Sequence, residues 1–446
     1  MRFEQSMKKR SPFLPIILCL SLISISLYAQ ENQESTEIPY GKIIKEIKIE
    51  GLKRTKEYIV TRELISKVGE PLLKENMDKE YTNLELLDIF MEIEIKQIVE
   101  ENGVILTYRF TETYRWLPMI GFQISDENGI SAGGGLKFPN LFGKNMFFSG
   151  RVLFGGATTV ELVLGNPWFA GNHLGYKLEY YRRERENLIG DFYEKSHEFY
   201  LKIGSQLGEN SRIGGSLESV NVHSDTDGIT LSPDNVDRVT RIGLYMKYDS
   251  RDAFIDTRRG WWNEVAISRE MRIFKNASDF YQLDLDLRRY QSLPYWDRHS
   301  LAIFSLLTLR TGEVGKEVAP WQRFGVGGTN TVRGWEYAFQ KGKNQFVSTL
   351  EYRITVLEPR IFNLPFNLRY RGGMHICFFS DLGIAWDEAD QFRSHNFIGG
   401  FGVGVRLLLP IVGVTRLDVG WGQKGQGIFL HVGAYEKPVM SRKRVR

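Results

Sequence analysis

"YQLDLDLRRY", residues 281–290, sorts its side chains into two kinds by position alone. Tyr281, Leu283, Leu285 and Leu287 share one face of an extended chain, and Gln282, Asp284, Asp286 and Arg288 share the other. "FIGGFGVGVRLLL" (397–409) repeats the theme, with Phe397, Gly399, Phe401, Val403, Val405, Leu407 and Leu409 on one side and Arg406 on the other. "HLGYKLEYY" and "VTRLDVGWG" do the same. A soluble sandwich also alternates, but it buries its apolar face against a second sheet. Here the polar faces hold fixed acids and arginines, while the apolar faces are rich in Leu, Tyr and Phe. That is the lipid-out, lumen-in pattern of a membrane-spanning barrel.

The pattern runs from Trp116 to about Tyr435. A spanning strand with its share of turn takes roughly 20 residues, so residues 114–435 allow about 16 strands, an even number. Composition agrees: the chain has 44 glycines and 13% aromatic residues, which suit strands, turns and interfacial girdles. A formal net charge of +4 on 446 residues is too balanced to point to nucleic acid.

The N-terminus reads as a secretory signal, residues 1–29. Lys8, Lys9 and Arg10 precede the apolar "PFLPIILCLSLISISL", with a cleavage position after Leu27-Tyr28-Ala29. A permanent anchor is the rival reading, but three serines interrupt a segment that is short for a span. Leu18 stands where a lipoprotein signal at Cys19 needs a small residue. Removal of the signal would leave Cys377 alone, so no internal disulfide is expected. Seven scattered histidines show no zinc-ligand spacing, and no cofactor is expected.

Residues 41–113 have a different texture. "KIIKEIKIEG" alternates as a strand, "TKEYIVTRELISKV" (55–68) and "KENMDKEYTNLELLDIF" (74–90) carry helical spacing, and "MEIEIKQIVE" and "GVILTYRFTE" close as two strands. The order β-α-α-β-β resembles a POTRA domain. Eleven residues, 436–446, follow the barrel as a basic tail.

Two motifs imitate enzymes. "GISAG" (129–133) matches the pattern around a hydrolase serine at Ser131, but that chemistry needs a strand-to-helix elbow and this stretch continues as strand. "GWGQKG" (420–425) has the spacing of a dinucleotide loop, yet it leads to another strand and reads as a hairpin turn. We expect no enzyme.

The stretch "GVGGTNTVRGWEYAF" (325–339) sets one arginine in glycine-rich backbone. It closely resembles the loop motif of the BamA/TamA-like outer-membrane assembly family, the bacterial surface antigen family. "YDSRDAFIDTRRGWW" (248–262), "STLEYRI" (348–354) and "FFSDLGIAW" (378–386) follow that family's order. The resemblance implies that the tip Val332, Arg333, Gly334 and Trp335 folds back into the lumen, with Glu351 and Asp381 as partners of Arg333. Gly383 belongs to the same Phe-x-Asp-x-Gly signature. A lumenal arginine has poor access to bulk water, and its planar fork suits carboxylates.

The resemblance also implies an outer-membrane barrel that assists insertion of client outer-membrane proteins through a weak seam between strands near 116–125 and 427–435. The POTRA domain would lie in the periplasm and meet clients or accessory proteins. A two-partner secretion pore shares the barrel and loop motif, but it usually carries two POTRA domains and a plug helix, for which Gln30–Lys42 leaves little room. A passive porin would not need the arginine.

Overall fold

The computed structural model describes residues 40–434, apart from 172, 254–255, 275–276, 365–367, 410–412 and 424–427. The expected signal and basic tail, and Gly425 of the look-alike turn, lie outside the described residues.

The N-terminal unit runs β1 (Ile44–Glu50), α1 (Glu57–Thr61), α2 (Lys74–Leu86), β2 (Phe90–Glu100) and β3 (Gly103–Glu112). Its sheet has the order β1-β3-β2, with β1 parallel and β2 antiparallel to β3. Every other residue of the central strand, Val104, Leu106, Tyr108 and Phe110, is buried against Ile44, Val60, Leu72 and Leu84. The expected first helix is cut short. The carboxylate of Glu80 on α2 accepts the N–H groups of Ile65, at 2.7 Å, and Ser66, so those donors leave the helical ladder. The Tyr108 hydroxyl donates to the same buried carboxylate.

Sixteen strands form one antiparallel sheet that nearly closes. They begin with β4 (Leu117–Ser125), β5 (Gly129–Leu141), β6 (Met146–Gly155), β7 (Thr158–Ala170) and β8 (Leu174–Asn187). Next come β9 (Phe192–Leu207), β10 (Ser211–Ser224), β11 (Val236–Asp249), β12 (Gly260–Met271), β13 (Phe280–Ser292) and β14 (His299–Arg310). The two short strands β15 (Phe324–Val326) and β16 (Gln340–Gly342) pair with each other inside the long β14–β17 connection. The wall resumes with β17 (Asn344–Leu364), β18 (Leu368–Trp386), β19 (Ile398–Leu409), β20 (Gly413–Gly422) and β21 (Ile428–Ala434). On β13, Gln282 and Asp286 are buried while Tyr281 and Leu287 face out, as the alternation predicts. Ser131 lies within β5, where its hydroxyl accepts the N–H of Ala157.

Every neighbouring pair around the wall shares a hydrogen-bonded ladder except the ends. β4 and β21 approach within 8 Å, Cα to Cα, but no ladder joins them among the described residues. β21 is also short at seven residues and pairs with β20 only from Thr415 to Trp421.

The N-terminal unit is fastened to one end of the barrel. The Lys56 N–H donates to the Gly143 carbonyl, the Asn140 amide donates to the Thr55 hydroxyl, and Arg62 stacks over Trp168 at 4.4 Å while donating to its carbonyl. Glu112 organises this joint, accepting from the N–H groups of Arg54 and Thr55, the Thr55 hydroxyl and the Arg54 guanidinium. Burial pushes the Glu112 carboxyl upward, and these donors outweigh it, holding the pKa down to about 2. A folded-state value below the unfolded one gives stability that is present above the unfolded pKa and lost on acidification. Protease cleavage at the joint, residues 51–56, is therefore expected to rise as pH falls from about 4.3 towards 2. In Glu112→Gln that dependence should flatten.

Candidate functional site

The β14–β17 connection is exposed or half-buried over its first residues, 311–317, and mostly buried from Val318 onward. It turns into the lumen, and its tip meets the inner wall on five consecutive strands. Arg333 is fully buried. Its Nε and Nη2 donate to the two oxygens of Asp381 on β18, at 2.7 and 2.9 Å, and its backbone N–H reaches the same carboxylate at 3.0 Å. Nη1 divides between Glu351 on β17, at 3.2 Å, and Asp418 on β20, at 2.9 Å. The Phe379 ring lies beneath the guanidinium, 3.3 Å from its centroid.

The wall can present this set because its alternation places the residues on one face. Thr349, Glu351 and Arg353 are successive inward positions of β17, and Phe379, Asp381 and Gly383 are those of β18. Arg353 donates to Glu351 at 2.8 Å, and Thr349 donates to Asp381 at 2.8 Å. Arg406 on β19 bridges Glu351, at 2.7 Å, and Asp418. Arg416 on β20 donates to Asn330 of the loop at 3.0 Å. Three carboxylates thus face four guanidiniums, all of them buried. Charges taken from water are tolerated when paired and costly when one partner is lost.

The neighbours of Arg333 settle around it. Gly334 adopts a φ of +87°, and a side chain there would strike the backbone of Trp421 and Gly422. Its N–H donates to Nε2 of His431 on β21 at 2.9 Å. Trp335 donates its indole N–H to the Gly399 carbonyl at 2.8 Å and packs with Val326, Val332, Val347 and Ile398. Gly383 leaves the space that Val332 and Val326 fill. All six residues singled out in the sequence, Arg333, Gly334, Trp335, Glu351, Asp381 and Gly383, therefore meet at one place. Sequence reading passed over Asp418, Arg406, Arg353 and His431. The alternation of "VTRLDVGWG" gave the inward parity of Arg416 and Asp418, but nothing in it named their partner.

Nearer the mouth of the barrel, the same connection forms a second, apolar contact. Trp321 and Ala319 pack with Phe192, Val222 and Val239 of the wall, and the Trp321 indole donates to Asp237 at 2.7 Å. Among the described residues no group of three or more His, Cys, Asp or Glu side chains is placed to hold a metal. The buried acids of the tip are engaged by arginines.

Fold and site define a transmembrane barrel whose long loop is turned inward and meets the wall through Arg333 and its neighbours. The Omp85 superfamily domain matches residues 140–433, and the chain belongs to that superfamily. Membership places the barrel in a bacterial outer membrane. The fold is similar to that of BamA from Haemophilus ducreyi lacking POTRA domains 1–3, at a TM-score of 0.63 and 14% identity over 88% of this chain and 83% of that one. It is also similar to CdiB from Acinetobacter baumannii, at a TM-score of 0.55 and 14% identity over 86% of this chain and 70% of that one.

Proposed function

We propose that this protein assists the insertion of other outer-membrane barrels, working through the seam between β4 and β21, without a cofactor and without enzymatic chemistry. The observation that supports the reading is that no ladder joins the two strands at that seam among the described residues. Opening a fully bonded strand pair in lipid would leave backbone groups unsatisfied at several kcal/mol each. A junction without a ladder avoids that cost, and its free edges are templates for another strand. A client strand would add there and pass sideways into the bilayer. The inward loop serves as a lock, with Arg333 pinning it to the wall. The N-terminal unit acts as a single POTRA domain in the periplasm, its β2 edge open to clients or accessory proteins.

The second reading is a two-partner secretion pore. It would require a polypeptide to pass the lumen, where the Trp321 cluster and the Arg333 network now stand.

Cysteines placed across the seam, one within Gly121–Gln123 and one within Leu430–Val432 in a Cys377→Ser background, test the reading. Oxidation should cut insertion of a urea-unfolded barrel into liposomes by about tenfold or more, since a closed seam leaves no free edge, and reduction should restore it. Insertion that persists through a verified crosslink rules out lateral opening. Export of a candidate exoprotein through the crosslinked barrel would then favour the pore.

A further inference from the structure

The inward loop touches both sides of the seam. Thr329 donates its backbone N–H to Asp126 at 2.7 Å and its hydroxyl to the other oxygen of the same carboxylate at 2.5 Å. Asp126 opens the turn between β4 and β5, so it moves with the first edge. That turn is itself tied to the β8–β9 turn, where Glu127 accepts the Leu188 N–H at 3.0 Å and Asn128 donates to the Glu186 carbonyl at 3.2 Å. The Thr329 hydroxyl also meets Nδ1 of His431, the inward residue of the last strand, at 3.0 Å. Gly334 then reaches the other ring nitrogen of the same histidine.

The donors fix a single direction along this chain. Nε2 of His431 accepts from Gly334, so in the neutral ring Nδ1 carries the proton and donates to the Thr329 oxygen. That leaves the Thr329 hydroxyl hydrogen for Asp126. The first hairpin and the last strand are thereby connected through one loop residue and one imidazole.

We propose that Thr329, Asp126 and His431 form a clasp that holds the two edges of the seam together through the loop, so that release of the loop tip and parting of the edges are one event. The clasp rests on the seam being the moving part of the barrel. Where no ladder joins two strands, a few side-chain bonds set how often they part. Each such bond contributes only modestly net, enough to hold the edges together without making their separation prohibitive. Thr329 and His431 are almost fully buried, which keeps water from competing for the bond between them, whereas Asp126 is exposed and its carboxylate is open to water. The Arg333 anchor grips β17, β18 and β20, and none of its three carboxylates belongs to β4 or β21. Arg333 therefore holds the loop, while Thr329 and His431 use the held loop to hold the edges.

Hydrogen exchange of the reconstituted full chain in liposomes tests this. Thr329→Val, Asp126→Ala and His431→Leu should each raise exchange in both 117–125 and 428–434 by about tenfold, the effect of losing one or two such bonds, while β17 and β18 stay protected. Thr329→Ser, which keeps the hydroxyl, should restore slow exchange. Heat-modifiable migration in gels selects folded variants, and Thr329→Val is close to isosteric, so at least one should pass. Unchanged exchange at both edges in folded Thr329→Val overturns the clasp, and so does acceleration confined to 325–340. Faster edges with unaltered insertion of a urea-unfolded barrel support the clasp and overturn the insertion reading instead.

Discussion

Arg333→Ala is expected to free residues 325–340 to protease while the barrel itself still migrates as a folded, heat-modifiable species. The substitution removes five hydrogen bonds to three buried carboxylates if the loop lets go, and leaves Asp381 without its bidentate partner. Breaking a fully buried pair from one side costs about 3–5 kcal/mol, and lumenal water entering the site will lower that figure. Arg353 and Arg406 still compensate Glu351 and Asp418, so the wall strands should hold. Cleavage within 325–340 should accelerate at least about tenfold, which corresponds to ~1.4 kcal/mol, well inside that range. Arg333→Lys should recover only part of the protection, because an ammonium cannot span both oxygens of Asp381 and reach Glu351 as a planar fork does. Unchanged cleavage in Arg333→Ala would mean that the arginine does not hold the loop.

Gly334→Ala is expected to release the same segment although it removes no polar group. A left-handed backbone costs an L-residue about 1–2 kcal/mol. Here the added methyl also points at the main chain of Trp421 and Gly422 on β20, which cannot rotate away as a side chain could. Gly315, earlier in the same connection, provides the comparison. Its φ is +88°, but a methyl there meets nothing within 4 Å. Gly315→Ala should therefore loosen only its own turn, while Gly334→Ala exposes 325–340 to protease as Arg333→Ala does. Equal, small effects from the two alanines would place the tip less tightly against β20 than the structure does.

The barrel was legible because lipid enforces period 2 on every strand. In "YQLDLDLRRY" and "FIGGFGVGVRLLL" one register satisfies both lipid and lumen, and a slip by one residue would put Asp286 or Arg406 into hydrocarbon. Strand number followed from length alone. The first helix of the N-terminal unit was less legible, since Leu64, Ile65 and Val68 keep helical spacing in a segment whose N–H groups are taken by Glu80, fifteen and fourteen residues away. Local pattern carries no sign of such a competitor. The site divides in the same manner. Arg333, Glu351 and Asp381 are legible through the resemblance of motifs, and Phe379 lies in the Phe-x-Asp-x-Gly signature. Asp418, Arg406, Arg353 and His431 are not, because parity says that a side chain faces inward but not what lies opposite. Their partners are set by the shear of a closed sheet, which depends on all sixteen strands at once.

The dry contact of Trp321 and Ala319 with Phe192, Val222 and Val239 bears on the cell as much as on the protein. A cylinder of sixteen strands is wide enough to leave an aqueous channel. Left empty, each copy would be a leak through which ions and small toxic solutes pass a membrane whose purpose is to exclude them. The chain's own loop, turned into the bore, narrows that channel. Under the proposed lateral route, traffic would pass at the edge of the cylinder and the narrowed middle would carry none of it.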